Sequence, residues 1–318
     1  MIISAEEIIE NNDNAKMNLL SNFNFEEFKD LYQCVQPALE SRMHRDSQLT
    51  GKTKFLLALY FCKFNETFEM ISLNFGIKMT YAHQVILSTI EKTYKILLLK
   101  YVRWISVSQR ITEYNIILPD WPTLLGSLDA TVQPINRPKV DQQLYYSGKH
   151  KQHCMKTQAL VSPTGLLIHF SESVPGSVHD FTLFKNSNLK LLIEQENACC
   201  QGLFNSNCTT LADAGYQGLT NLVPGSVTPH KKPRNGNLSD QQKEFNKKTS
   251  HRRILVENYF GRLKTLWKIM ATKYRLKLSS YGHVWCFCAS LTNYHISLHP
   301  LRERYTSSSS SSSDEEDN

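Results

Sequence analysis

The chain has 318 residues, 41% apolar and 20% charged, with too little Gly (13) and Pro (11) for a collagenous or low-complexity protein. A chain of that length buries a sizeable core, as two domains or as one large domain with an appendage. No run approaches the ~18 apolar residues of a membrane helix, and Glu6, Glu7 and Glu10 stand where a secretory leader wants cations, so neither membrane spanning nor secretion is expected.

The formal charge of +7 is unevenly spread: residues 1–40 hold eight acids against Lys16 and Lys29, and residues 314–317 are all acidic. The body between is therefore far more basic than the total. Such a body points to a polyanionic partner, with a solvated basic face as the plain alternative. The eight cysteines form no C-x-x-C pair, which predicts reduced and mostly buried thiols in a nuclear or cytosolic protein.

In chain order, an acidic helical segment is expected over 1–45. Across Thr53–Leu99 the apolar residues recur at helical spacing and parse as three helices, with Asn65 or Thr67 capping the second and Gly76 ending it. Helix, glycine turn and helix is the helix-turn-helix pattern, which predicts an all-α DNA-binding region over 46–110. Lys78, Thr80, Tyr81, His83 and Gln84 would then face the major groove; a helical bundle without DNA fits the same spacing. Past Pro119 the pattern changes to short runs bounded by Gly and Pro, predicting strands at Leu124–Pro134, Lys156–Val161, Leu166–Ser171 and Thr209–Ala212. Pro163-Thr-Gly165 reads as the turn of a hairpin. Helices are expected at Val178–Lys185, Leu189–Glu196 and Ser250–Lys273, with 221–250 a basic loop or partial helix. The whole of 118–300 reads as a mixed α/β sheet domain with flanking helices, followed by a disordered Ser-rich acidic tail over 301–318.

Two acids interrupt apolar strands. Asp129 lies in Leu124-Leu-Gly-Ser-Leu-Asp-Ala-Thr131 and Asp213 in Thr210-Leu-Ala-Asp-Ala-Gly-Tyr216, where a charge is expensive to bury. Carboxylates at the mouths of neighbouring strands suit a hard divalent cation, although a strand-end Asp is also a common turn cap. Glu257 falls on the face of Arg253, Gly261 and Lys264, opposite a stripe of Leu255, Tyr259, Leu263, Trp267 and Met270. It is either a third metal acid, leaving Arg253 and Lys264 for phosphates, or half of a surface pair with Arg253. Cys286-x-Cys288 followed by His295-x-x-x-His299 fits no common zinc spacing.

Gly126-Ser-Leu-Asp-Ala-Thr131, Tyr145-Tyr-Ser-Gly-Lys-His-Lys151, Pro175-Gly-Ser-Val-His-Asp180, Ala212-Asp-Ala-Gly-Tyr216 and Val256-Glu-Asn-Tyr-Phe-Gly-Arg-Leu-Lys264 occur in this order. Over roughly 115–275 the chain thereby resembles PIF/Harbinger-type transposases and their domesticated nuclease relatives. The resemblance implies a ribonuclease-H-like α/β catalytic domain and an Asp-Asp-Glu triad on Asp129, Asp213 and Glu257, with 83 and 43 residues between successive members. It gives His179 and Asp180 a supporting role or that of capping the following helix. It implies two Mg²⁺ or Mn²⁺ ions ~3.5–4 Å apart that cut a DNA phosphodiester, with the freed 3′-OH then able to attack target DNA. Lys149, Lys151, Arg252, Arg253 and Lys264 would line the duplex, and residues 231–253 add to a run of eight Lys or Arg against Asp240 and Glu244, a run that also reads as a nuclear localisation signal. Double-stranded DNA, a Myb-like protein and a second copy of the chain are the expected partners, and the nucleus the expected site. The alternative is a domesticated, catalytically silent DNA-binding or chromatin protein on the same fold.

Overall fold

The structure, a computed structural model, describes residues 2–41, 49–234 and 236–300. The expected acidic tail and the expected boundary near 45 lie outside the described residues. Among the described residues the chain opens with seven helices: α1 (Ala5–Glu10), α2 (Asn14–Ser21), α3 (Phe25–Glu40), α4 (Gly51–Phe64), α5 (Phe68–Phe75), α6 (Met79–Tyr101) and α7 (Val107–Thr112). Ser4, Asp13, Asn24, Thr50 and Thr67 each accept from a backbone N–H three residues on, satisfying a donor that a helix start leaves open. At Gly76 the chain turns left-handed (φ 64°), a conformation only glycine adopts without strain, and α6 starts three residues later. The three helices expected across Thr53–Leu99 are therefore present, α6 packing along α14 (Tyr281–Leu298), α4 and α3. Among the described residues no helix is long and apolar enough to cross a membrane.

Seven strands make one mixed sheet: β1 (Leu124–Pro134), β2 (Tyr146–Ser147), β3 (Gln152–Val161), β4 (Leu167–Phe170), β5 (Val174–Pro175), β6 (Thr209–Ala212) and β7 (Ser226–Val227). β1 is central, antiparallel to β3 on one side and parallel to β6 on the other, and β6 runs parallel to β7. β2, β4 and β5 all pair antiparallel with β3. Opposed residues share a face, so Leu128 and Leu160 turn one way and Asp129 and Ala159 the other. The first face packs Leu128, Leu160, Phe184, Leu189, Ile193 and Tyr216 into one core. The second meets a larger core in which Ala159 and Val161 join Phe28, Phe55 and Ile86 of the first helices with Tyr259, Trp267 and Phe287 of the last.

The connections carry α8 (Gln142–Tyr145), α9 (Asp180–Asn186), α10 (Leu189–Phe204), α11 (Leu219–Leu222), α12 (Asp240–Leu266) and α13 (Lys268–Ala271). Several expected bounds are corrected. β3 starts at Gln152 rather than Lys156, because Cys154 and Met155 also pair with β1. α10 continues to Phe204, and its buried Glu196 accepts from Val107 N–H (2.9 Å) and Trp104 Nε1 (3.1 Å), tying it to the positive end of α7. α12 starts ten residues before Ser250, at a capping box of Ser239 and Gln242. It also stops earlier, at Leu266. Trp267 leaves the helix (φ −123°) because its buried indole donates to Thr292 Oγ1 at 3.0 Å, and Gln133 Nε2 takes the carbonyls of Ile269 and Thr272.

Candidate active site

The register of the sheet brings the first two acids together. Leu128 pairs with Ala212 in the parallel β1–β6 ladder, and both face the smaller core. Asp129, the next residue of β1, therefore turns to the opposite face, toward α12, and Asp213 stands directly after the end of β6. Ser127, two residues before Asp129, donates to the Arg252 carbonyl of that helix at 3.2 Å.

Asp213 follows β6 and its Oδ1 accepts from Gly215 N–H at 2.7 Å. A Cβ on Gly215 would lie 2.9 Å from that oxygen and 2.9 Å from Asp180 Oδ2, so the missing side chain lets the two carboxylates approach each other. Asp180 opens α9, with His179 as its exposed N-cap residue. Lys156 reaches it from β3, Nζ donating to Asp180 Oδ1 at 2.8 Å and to the Val178 carbonyl at 2.6 Å, in a pair only 9% and 14% exposed.

Electrostatics agree with this gathering. Burial raises the Asp129 carboxyl to about 6, the negative charges of Asp213 and Asp180 adding to the rise, while the Ala130 N–H (2.7 Å) and Arg253 oppose it. Tyr216 is fully buried; desolvation first, then Asp180, Asp129 and Asp213, hold its phenol well above the usual range, and its hydroxyl has no hydrogen-bond partner. Asp129, Asp213 and Asp180 thus feel one another's charge, and Tyr216 feels it from the core on the other face of the sheet.

Glu257 is 58% exposed. An Nη of Arg253 lies 4.0 Å from Glu257 Oε1 and 4.0 Å from Asp129 Oδ2, so the guanidinium stands between the two acids. Lys264, two turns further along α12, is lowered by burial while the charge of Asp129 acts in the other direction. Lys149 and Lys151 are exposed in the turn after β2, and the intervening His150 feels Lys156, Asp180 and Lys264, although burial is what chiefly lowers it. Arg252 is half-buried on α12. Lys78, Thr80, His83 and Gln84 are exposed on the first turns of α6 or just before it and Tyr81 is half-buried there; nothing in their environment ties them to the acids.

Hard carboxylate oxygens and the negative charge gathered around Asp129 suit a divalent cation. Among the described residues, however, no three His, Cys, Asp or Glu side chains close into a finished metal cage; Arg253 intervenes. Lys156 and Tyr216 were not among the residues singled out from sequence. A lysine inside the apolar run of β3 was the available signal for the first, and the tyrosine ending the Ala-Asp-Ala-Gly-Tyr216 motif for the second.

Residues 128–293, which span every acid of this cleft, match the family described as DDE superfamily endonuclease. The chain belongs to that family. It is 34% identical over 171 residues to the probable transposase for insertion sequence element IS702 of Microchaete diplosiphon, covering 54% of this chain and 57% of that protein. It is 26% identical over 211 residues to the ALP1-like protein of Arabidopsis thaliana, covering 64% of this chain and 50% of the relative. The chain thus spans about half the length of the curated relatives it matches. No solved structure matches it significantly.

Proposed function

We propose that this protein is a metal-dependent DNA endonuclease that works as a transposase, with Asp129, Asp213 and Glu257 holding the metal. The observation that carries this is the placement of Asp129 on β1 and of Asp213 directly after β6, the parallel neighbour of β1, in a chain of the DDE family. Mg²⁺ or Mn²⁺ ions bound there would supply an activated water and stabilise the leaving 3′ oxygen. The chain's own residues do the rest. Lys156 fixes Asp180, and Gly215 lets Asp180 and Asp213 share the space in front of β6. Arg253, Lys264 and Lys149 set positive charge around the acids, where a phosphodiester backbone would lie. The exposed first turn of α6 offers Lys78, Thr80 and His83 to duplex DNA.

The sheet supports a ribonuclease-H-like domain: three antiparallel strands, β4, β3 and β1, continue into two parallel ones, β6 and β7. Joining of the freed 3′-OH to target DNA belongs to the same proposal, as do a Myb-like partner, self-association and a nuclear location.

A second activity class has an observation in its favour. With Glu257 mostly exposed and Arg253 between it and Asp129, the chain could bind DNA without cutting it. Asp213→Asn decides between the two. The nuclease proposal expects loss of Mg²⁺-dependent cleavage of duplex DNA with DNA binding largely kept; cleavage at the wild-type rate in this variant rejects the site.

A further inference from the structure

A buried arginine that serves only as an ion-pair partner takes a carboxylate in a bidentate fork with N–O distances of about 2.7–2.9 Å. Arg253 does not. Its side chain is 13% exposed, its contacts to Asp129 and Glu257 are both 4.0 Å long, and its Nε is buried with no hydrogen-bond partner among the described residues. Lys156, by contrast, contacts Asp180 at 2.8 Å, the short distance that Arg253 does not reach with either of its acids. Among the described residues, a largely buried cation thus sits beside two carboxylates without a short hydrogen bond to either.

The geometry points to Arg253 as a built-in stand-in cation: in the metal-free chain its charge occupies the place between Asp129 and Glu257, and on metal uptake the guanidinium swings outward to face DNA phosphate. This rests on the metal-binding role proposed for the same acids. The long contacts are what such a role needs, because a fully bonded fork would have to be broken each time, whereas loose Coulomb attraction yields to a doubly charged competitor. The guanidinium is then on the carboxylates or on the DNA, never on both, which links metal loading to phosphate binding in the reciprocal way any two coupled equilibria must be.

The test is an equilibrium titration of the full chain with Mn²⁺, without DNA, following free Mn²⁺ by electron paramagnetic resonance in wild type, R253Q and D213N. R253Q is expected to bind Mn²⁺ about tenfold more tightly, because a like charge has left the site, and D213N much more weakly. Equal or weaker binding by R253Q, alongside weakened binding by D213N, overturns the role of Arg253 and leaves the metal site standing; unchanged binding by D213N overturns both. Phenylglyoxal labelling of Arg253 in the wild type, read by mass spectrometry, does not depend on how R253Q folds. Labelling is expected to be slow without metal and several-fold faster in saturating Mg²⁺, and labelling that stays the same or slows overturns the proposal.

Discussion

Two regions of this chain gather residues capable of metal chemistry, and burial treats them in opposite ways. On α14, burial drives the Cys286 thiol up to about 12 and Cys288 well above the usual thiol range, and it pushes His295 down to about 4 with help from the charges of His299 and Arg262. Each of these groups is held neutral at neutral pH, as a core requires. In the cleft between β1, β6 and α12, Asp129 is raised only to about 6, because the Ala130 N–H and Arg253 resist desolvation. It stays ionised at neutral pH next to two more carboxylates. The spacing on α14 already fits no common zinc pattern, and the fold separates the two regions further by removing charge from one and concentrating it in the other.

The largest expected effect tests that separation directly. Asp129→Asn removes a carboxylate from the proposed metal position, and loss of several kcal/mol of transition-state stabilisation is expected to lower single-turnover cleavage on the order of a thousandfold. Cys286→Ala on α14 leaves the cleavage rate unchanged. A loss in the cysteine variant as large as that in the aspartate variant would reverse the assignment of the two regions.

Next comes stability. Lys156→Met strands Asp180 in a position 14% exposed, and breaking such a buried pair costs about 3 kcal/mol. Urea denaturation of the metal-free chain measures this. Adding Asp180→Asn to Lys156→Met is expected to recover most of the loss, since the unpaired charge is then gone; a double variant no more stable than the single one would show that Lys156 acts through packing instead.

How much of this was legible in the chain differs between the regions for physical reasons. β1 and β6 lie at the residues where apolar runs and their breakers put them, and the cleft acids stood out because a charge interrupts each run, although Asp213 also makes the turn cap that was the plain alternative. The start of α12 was also readable, in the Ser239-x-x-Gln242 box, but the basic run across 231–253 masked it. The end of α12 was not, since Leu263, Trp267 and Met270 keep helical spacing while the Trp267 indole is anchored by Thr292 from α14. Nor did sequence place Arg253 between Asp129 and Glu257. The i,i+4 step gives only the second contact, and the first needs the packing of α12 on β1.

Gly215 gives a smaller effect. Alanine there sets a Cβ 2.9 Å from oxygens of both Asp180 and Asp213, so one carboxylate must move. A displacement of a few tenths of an ångström to 1 Å lowers cleavage by roughly ten- to a hundredfold, with little change in the denaturation midpoint because Gly215 is exposed. Unchanged kinetics in Gly215→Ala would mean that the approach of Asp180 to Asp213 has no part in the chemistry.

The smallest effect sharpens the comparison without any DNA. Asp129 titrates higher in the folded chain, about 6 against 3.8, so its stabilisation is complete below pH 3.8 and is lost as pH rises through 6. His295 titrates lower, about 4 against 6.5, so its stabilisation is complete above pH 6.5 and is lost as pH falls toward 4. Across the same interval the two regions therefore tilt the stability curve in opposite directions, each by on the order of 1 kcal/mol once solvent is allowed for. Denaturation midpoints of the metal-free chain between pH 4 and 7 resolve them. Asp129→Asn is expected to gain on the wild type as pH rises. His295→Gln, whose amide oxygen can still accept from Arg262 in place of the ring nitrogen now 3.1 Å away, is expected to gain as pH falls. Saturating Mg²⁺ at pH 7 cancels the advantage of Asp129→Asn, because the ion then favours the carboxylate that burial opposed, and it leaves the His295→Gln difference where it was. Midpoint curves for the two variants that run parallel to the wild type would show that neither region imposes the charge state assigned to it.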